Sequence, residues 1–337
     1  MIVRNEEDNL ALCLEPVADL VNEIIVVDTG STDKTRQVAR RFGAQVFDFA
    51  WVDNFAAARN ESLRHATGDW IFWIDADDRV DKPNRLKLQR LFGSLGDENK
   101  AFEMTYVYLP EPGSVLNVEI SMVRLFRNHP EMRWQNRIHE DISPALRARG
   151  ARVMPTDIRI HHTGYQNQIV RDRKNERDLR LLLMDYADDA NNPRTLLNLG
   201  RIHLAMGRPA DALPVLRRAL QHSDPGAPIV RAFCRLIVYC HRLLGQADEA
   251  LVICRDHRAR HPLDAGLWVQ EGELREEEGD AAGAESCYLQ FLRQSGPDDV
   301  TGMSAALLGF GVRQRLSSLY AKQGRIAKAE AVWRVGS

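Results

Sequence analysis

The sequence predicts an α/β unit followed by an all-α array of helical hairpins. Three observations support this. Short apolar, β-branched runs alternate with amphipathic stretches from Met1 to about residue 165. Beyond Arg171 those runs nearly vanish, and Leu, Ala, Arg and Glu recur at helical spacing. In this second half a glycine returns four times, each with an alanine five residues behind it. At 337 residues the chain exceeds the usual size of one domain, so two separate cores are expected. The expected division is residues 1–165 for the α/β unit, 166–192 for a connecting helix and 193–337 for the hairpins.

In the first half the clearest strands are Glu23–Asp28 and Asp69–Asp75, apolar runs suited to a sheet covered on both faces. Both end in Asp. In open parallel sheets ligands collect at the carboxyl ends of strands, which would bring the two acids to one edge. Between them, Lys34–Phe42 reads as a helix capped by Ser31-Thr32-Asp33 and ended by Gly43. Phe55–Ala66 reads as a second helix, stopped by Gly68 and carrying Arg59 and Asn60. The alternation in Met104–Tyr108 and Ile120–Leu125 predicts antiparallel additions to the sheet within Phe102–Phe126.

The second half repeats. Gly207, Gly245, Gly279 and Gly324 precede Ala212, Ala250, Ala284 and Ala329, at spacings of 38, 34 and 45 residues. The middle value is the tetratricopeptide period, and insertions fall at Asp224–Pro228 and near Pro297–Gly302. Gly200 and Gly272 stand where such repeats need one helix to pack closely on the next, and Trp268 opens the third unit. An array of this kind either covers its neighbour or offers a groove to a protein partner.

Composition narrows the functional classes. The 45 Lys and Arg nearly balance 47 Asp and Glu, so no bulk field favours nucleic acid or an anionic membrane. The five cysteines, Cys13, Cys234, Cys240, Cys254 and Cys287, form no CxxC pair and read as reduced core residues. The start, MIVRNEEDNL, lacks the regions of a secretory signal, and no apolar run approaches the roughly 20 residues that span a bilayer. A cytoplasmic protein without a transmembrane segment is expected.

The chemistry concentrates at Asp75-Ala76-Asp77-Asp78, behind an apolar strand. Hard divalent cations prefer carboxylates. In an extended segment Asp75 and Asp77 share one side and Asp78 takes the other. A DxD triplet alone is more often an exposed acidic turn, but here it has company: Ile2-Val-Arg-Asn-Glu-Glu7, Val26-Val-Asp-Thr-Gly-Ser-Thr-Asp33, Ala58-Arg-Asn60, Arg137-Ile-His-Glu140 and His162-Thr-Gly-Tyr165.

In this order the motifs resemble the family 2 glycosyltransferases of the A-type fold, with a Rossmann-like mixed sheet, in the branch that carries tetratricopeptide repeats behind the transferase domain. The resemblance implies an inverting, hexosyl-type transferase. Its donor would be a nucleotide diphosphate sugar, commonly a uridine diphosphate sugar, used with Mn²⁺ or Mg²⁺. Carried over by position, Asp28 would bind the base, Glu6 and Arg59 would line the nucleotide pocket, and Asp75 would lie near the ribose. Asp77 would hold the metal and His162 complete its site, a neutral imidazole being a suitable ligand beside carboxylate oxygens. Glu140 would be the base that takes the acceptor's proton, with Asp141 the alternative. The resemblance leaves open a peptide, protein or saccharide acceptor. Family members usually carry several residues ahead of the Ile-Val-x-Asn-Glu segment, so a short sheet is expected where this sequence begins.

Two other classes fit less well. A repeat scaffold with a silent transferase half has no need of an intact acidic cluster and His-Glu pair. A nucleotidyltransferase would carry a Gly-rich, basic phosphate loop after the first strand, where this sequence has Arg4-Asn-Glu-Glu7.

Overall fold

The structure, a computed structural model, describes residues 1–108, 118–164, 168–261, 264–294 and 305–333. It divides into two compact units, Met1–Lys174 and Asn175–Ser337.

The first unit is α/β, as expected. Strands β1 (Ile2–Val3), β2 (Ile25–Asp28) and β3 (Gln45–Asp48) form a parallel sheet in that order, with Val3 opposite Asp28. The edge strand is short, two residues long. Helices α1 (Leu10–Leu14) and α2 (Thr35–Arg41) cover this sheet through Leu10, Leu14, Val38 and Ala39, packed on Val3 and Val26. Asp33 accepts from the Thr35 N–H at the start of α2, and Gly43 leaves the helix at φ +74°. Helix α3 (Phe55–His65) begins with the Asn54 side chain accepting from the Ala57 N–H. It ends because Ala66 turns extended, before Gly68 is reached.

The second Asp-terminated run departs from expectation. Strand β4 (Trp70–Phe72) stops short of Asp75 and belongs to a separate five-stranded sheet. That sheet also holds β5 (Asp78–Arg79), β6 (Lys100–Tyr108), β7 (Val118–Arg127) and β8 (Arg152–His162), in the order β4-β7-β6-β8-β5. β4 pairs antiparallel with β7, so the two runs are not members of one parallel sheet. The β6–β7 pairing is antiparallel, as the alternation predicts, and β8 joins β6 in parallel. Helix α4 (Lys82–Gly93), capped by Asp81, and helix α5 (Ser143–Ala148) complete the unit.

Helix α1 joins the two sheets. Cys13 and Val17 sit in one core with Ile74, Met104, Leu125, Ile158 and Ile160. The Cys13 thiol donates to the Asp75 carbonyl at 3.1 Å, and Arg79 donates to Asn9 at 2.7 Å. The acidic segment is therefore anchored to α1 at both of its ends.

In the second unit α6 (Gln168–Asp188), which already begins in the first, leads into four hairpins: α7 (Pro193–Ala205) with α8 (Pro209–Gln221), α9 (Ile229–Leu243) with α10 (Ala247–Arg260), α11 (Ala265–Glu277) with α12 (Ala281–Gln294), and α13 (Ala305–Lys322) with α14 (Ile326–Ala331). Gly207, Gly245, Gly279 and Gly324 turn the chain at φ +69° to +82°, which explains their recurrence. Ala212, Ala250, Ala284 and Ala329 are all buried behind them. The Asp224–Pro228 insertion connects α8 to α9, whereas Pro297–Gly302 lies outside the described residues. The five cysteines are free and buried.

Gly272 shows why its position stays small. A Cβ there would stand 2.5 Å from Cε1 of Tyr288, itself fully buried. Gly272→Leu should therefore cost at least about 2 kcal/mol by overpacking, beyond the roughly 1 kcal/mol gained in helix propensity. Thermal unfolding followed by circular dichroism tests this, and a melting temperature equal to wild type would refute it.

Candidate active site

The acidic segment is a turn. The Asp78 N–H donates to the Asp75 carbonyl at 3.0 Å, and the Asp78 carboxylate accepts from the Asp75 N–H at 3.0 Å. This closure replaces the alternation expected of an extended segment, and it separates Asp75 from Asp77 and Asp78. Asp75 faces Arg59, whose Nη2 donates at 2.9 Å. Asp77 and Asp78 face His162, and the three offer potential ligand atoms within 4.8 Å of one another.

Within that trio the roles divide by bonding. Asp78 is fully buried and already engaged: Oδ1 accepts from the Tyr106 hydroxyl at 2.7 Å and lies 3.1 Å from His162 Nδ1, while Oδ2 meets Arg124 at 3.2 Å. A His162 Nδ1–H directed at these oxygens leaves the Nε2 lone pair for another partner, the usual way a carboxylate orients a metal-binding imidazole. Asp77 is less committed, with Oδ1 at 3.4 Å from His162 Nδ1 and Oδ2 at 3.5 Å from Lys174 Nζ. Burial pushes its carboxyl above the ordinary range. His162 opposes that rise, Asp75 and Asp78 add to it, and Lys174 offsets it.

Gly164 fixes the shape of this corner. A Cβ there would stand 2.1 Å from Asp77 Oδ2 and 2.7 Å from His162 Nε2, so both atoms crowd the bare Cα and only glycine fits against them. Carboxylate oxygens and an imidazole nitrogen brought this close together suit a hard or borderline divalent cation. Tyr165, the last residue of that motif, lies outside the described residues.

Beside it, Arg59 ties two more predicted residues together. Its Nε donates to Glu140 at 2.5 Å, and its guanidinium lies 4.4 Å from the Trp73 ring centroid and 5.3 Å from that of Trp134. Glu140 is held in position by a loop closed through two hydrogen bonds between Gln135 and Asp141, with Asn136 and His139 in the left-handed region. The Asp141 carboxylate accepts from the Ser143 N–H at the start of α5, and Glu140 is the member that reaches Arg59. Asn60 clamps this loop by accepting from the Trp134 N–H and donating to its carbonyl. Arg59 and Arg124 draw the Asp75 carboxyl well below its ordinary range despite burial.

The remaining predicted residues lie on the other sheet. Asp28 ends β2, and its Oδ1 accepts from the N–H groups of Gly30 and Ser31 and from Arg36. Burial works against its charge, but those donors hold its carboxyl below the ordinary range. Its Oδ2 is buried with no hydrogen-bond partner among the described residues. Glu6 accepts from Asn9 at 2.9 Å. Burial raises its carboxyl and Asp77 adds to the rise, which puts Glu6 within electrostatic range of the cluster. The loop bearing Glu6 is stitched to the loop after β2 through Asn5–Ser31, Asn5–Thr32 and Glu6–Thr35 hydrogen bonds.

Known proteins resemble the chain in both units. The Glycosyl transferase family 2 pattern matches residues 1–149, and the Tetratricopeptide repeat pattern matches residues 193–218. A TPR repeat-containing protein of Synechococcus elongatus is 31% identical over 304 residues, covering 83% of this chain and 70% of that one. Over residues 1–149 the chain belongs to the family 2 glycosyltransferases. It is also similar to the SPbeta prophage-derived glycosyltransferase SunS of Bacillus subtilis, at 27% identity over 66% of this chain and 52% of that one. An uncharacterized glycosyltransferase of Rickettsia felis is 32% identical over 94 residues, 28% of this chain and 33% of its own.

The glycosyltransferase site contains residues that motif reading did not single out. Tyr106, Arg124 and Trp73 surround Asp78, with the Arg124 guanidinium 3.7 Å from the Trp73 ring centroid and 4.3 Å from that of Tyr106. A signal existed for Arg124, a lone charge inside the apolar run Met122-Val-Arg-Leu-Phe126. Lys174, from α6, had none. No helix among the described residues is long and apolar enough to cross a membrane.

Proposed function

We propose that this glycosyltransferase moves a sugar with inversion from a nucleoside diphosphate donor, a uridine diphosphate sugar in the first instance, to a hydroxyl or thiol acceptor. The observation that carries this reading is the cluster of Asp77, Asp78 and His162, whose ligand atoms lie within 4.8 Å of one another, next to an Asp75 that Arg59 joins to Glu140. A divalent manganese or magnesium ion held by Asp77 and His162 would stabilise the charge that develops on the departing diphosphate. Asp78 orients His162 and takes no ligand position. Asp28 Oδ2, buried without a hydrogen-bond partner among the described residues, suits an N–H group of the base, and Asp75 and Glu6 border the nucleotide.

The acceptor oxygen or sulfur attacks the anomeric carbon from the face opposite the diphosphate, and the bond from that carbon to the phosphate oxygen breaks. Glu140 takes the acceptor's proton. Its Oε1 is used by Arg59, which leaves Oε2 for the proton, whereas Asp141 is engaged at the start of α5. The repeat unit supports a polypeptide acceptor or a protein partner.

Uridine diphosphate with Mn²⁺ should raise the melting temperature of the wild-type chain, by the several degrees that about 2.7 kcal/mol gives at a hundredfold excess over Kd. Asp77→Ala should remove that rise. Absence of a shift with every sugar nucleotide tested would contradict the reading.

A further inference from the structure

The corner that suits a divalent ion is bordered by a third group, one that carries positive charge. Lys174 Nζ donates to the Gly164 carbonyl at 3.2 Å and lies 3.5 Å from Asp77 Oδ2. A Cβ on Gly164 would stand 2.9 Å from this ammonium, close to its distance from His162 Nε2. Carboxylate, imidazole and ammonium therefore converge on the Gly164 Cα.

We propose that Lys174 is the internal counter-cation of this site: its ammonium holds Asp77 while donor is absent, and moves to the diphosphate when ion and donor bind together. The inference rests on the metal reading given above. Two observations carry it. An ammonium and a divalent ion a few ångströms apart repel wherever water is partly excluded, so an ion at Asp77 favours displacement of the Lys174 ammonium from it. The other cations of the site are committed elsewhere, Arg59 to Glu140 and Asp75, and Arg124 to Asp78. Among the described residues Asp77 is therefore left with Lys174 and His162.

The residue type fits such a role. Lysine is a point charge on a flexible four-carbon stem, able to swing by several ångströms while its helix stays fixed, whereas the planar guanidinium of arginine favours one fixed geometry. The Lys174 side chain is about a quarter exposed, enough to move without breaking a core. A diphosphate bound to an ion at Asp77 brings its own oxygens to this corner, so an ammonium displaced from the carboxylate finds a second anion within its reach. Binding of ion and donor is then cooperative, because the donor receives the cation that the ion displaces.

The test is the binding of Mn²⁺ and of uridine diphosphate to the full chain and to Lys174→Met, by electron paramagnetic resonance of free Mn²⁺ and by calorimetry. Without nucleotide, Lys174→Met should bind Mn²⁺ about fivefold more tightly than wild type, the worth of one partly exposed ion pair. With saturating Mn²⁺ it should bind uridine diphosphate about tenfold more weakly, the loss of one charge-assisted contact. Lys174→Arg should recover most of the nucleotide affinity. A merely structural lysine would move both affinities the same way or neither, and either result overturns the proposal. Failure of both proteins to bind Mn²⁺, with or without nucleotide, would overturn the metal reading and this proposal with it.

Discussion

Glu140→Gln is expected to lower turnover by at least about a hundredfold while nucleotide binding stays within about twofold of wild type. That loss corresponds to about 2.7 kcal/mol on the barrier. The amide keeps the size of the side chain and an oxygen for Arg59, but it cannot accept the acceptor's proton. Arg59 retains Asp75 at 2.9 Å and its places over Trp73 and Trp134, so the pocket wall should stand. The competing role for Glu140 is to hold Arg59 in place. In that case the substitution would weaken nucleotide binding and lower the melting temperature, with turnover falling only in proportion. Release of uridine diphosphate from the donor, measured with and without acceptor, separates these outcomes. Unchanged turnover would remove Glu140 from the base role. Asp141→Asn serves as the internal comparison, since Asp141 spends its carboxylate on the Ser143 N–H and its main effect should be on the stability of the loop before α5.

The contrast between Glu140 and Asp141 shows where sequence reading reaches its limit. Two adjacent acids look alike in a motif, and they part only when backbone geometry turns one inward. Here the left-handed His139 and the Gln135–Asp141 pairing do that, and neither residue type announces it. The repeats were legible because each glycine answers a local demand, a positive φ at a helix end or a close helix approach, and local demands recur at fixed spacing. The strand pairing of the first unit was less so. A run such as Asp69–Asp75 specifies a buried strand but not its neighbour, and β4 found β7 instead of β2. Asp78 had no legible purpose, since its partners Tyr106, Arg124 and His162 come from three strands distant in sequence. Lys174 was hidden for a similar reason, because it sits on a helix whose other residues read as a connection.

Arg124→Leu is expected to destabilise the first unit by about 3–5 kcal/mol, the cost of leaving a buried charge without its partner. Arg124 is 1% exposed and Asp78 is fully buried, so the carboxylate would be left without an opposite charge away from bulk water. Asp78 would keep the Tyr106 hydroxyl and the Asp75 N–H, which limits the damage but supplies no opposite charge. Stacking is lost too, because the guanidinium lies between the Trp73 and Tyr106 rings. Arg124→Lys restores charge without the planar fork and should recover part of the loss. Combining Arg124→Leu with Asp78→Asn removes both charges, so the double variant should be less destabilised than the sum of the single ones by at least about 1 kcal/mol. Urea unfolding of the four proteins measures this coupling, and additive effects would show that the pair does not act as a unit. The same experiment bears on the site. Asp78 holds Nδ1 of His162, so a variant that folds with Asp78 displaced should also bind Mn²⁺ more weakly, by the roughly tenfold or more that follows loss of an orienting partner. A buried ion pair that contributes little net stability over an apolar substitute is then kept for what it does to the imidazole: Asp78, held by Arg124, fixes one orientation of the His162 ring through Nδ1.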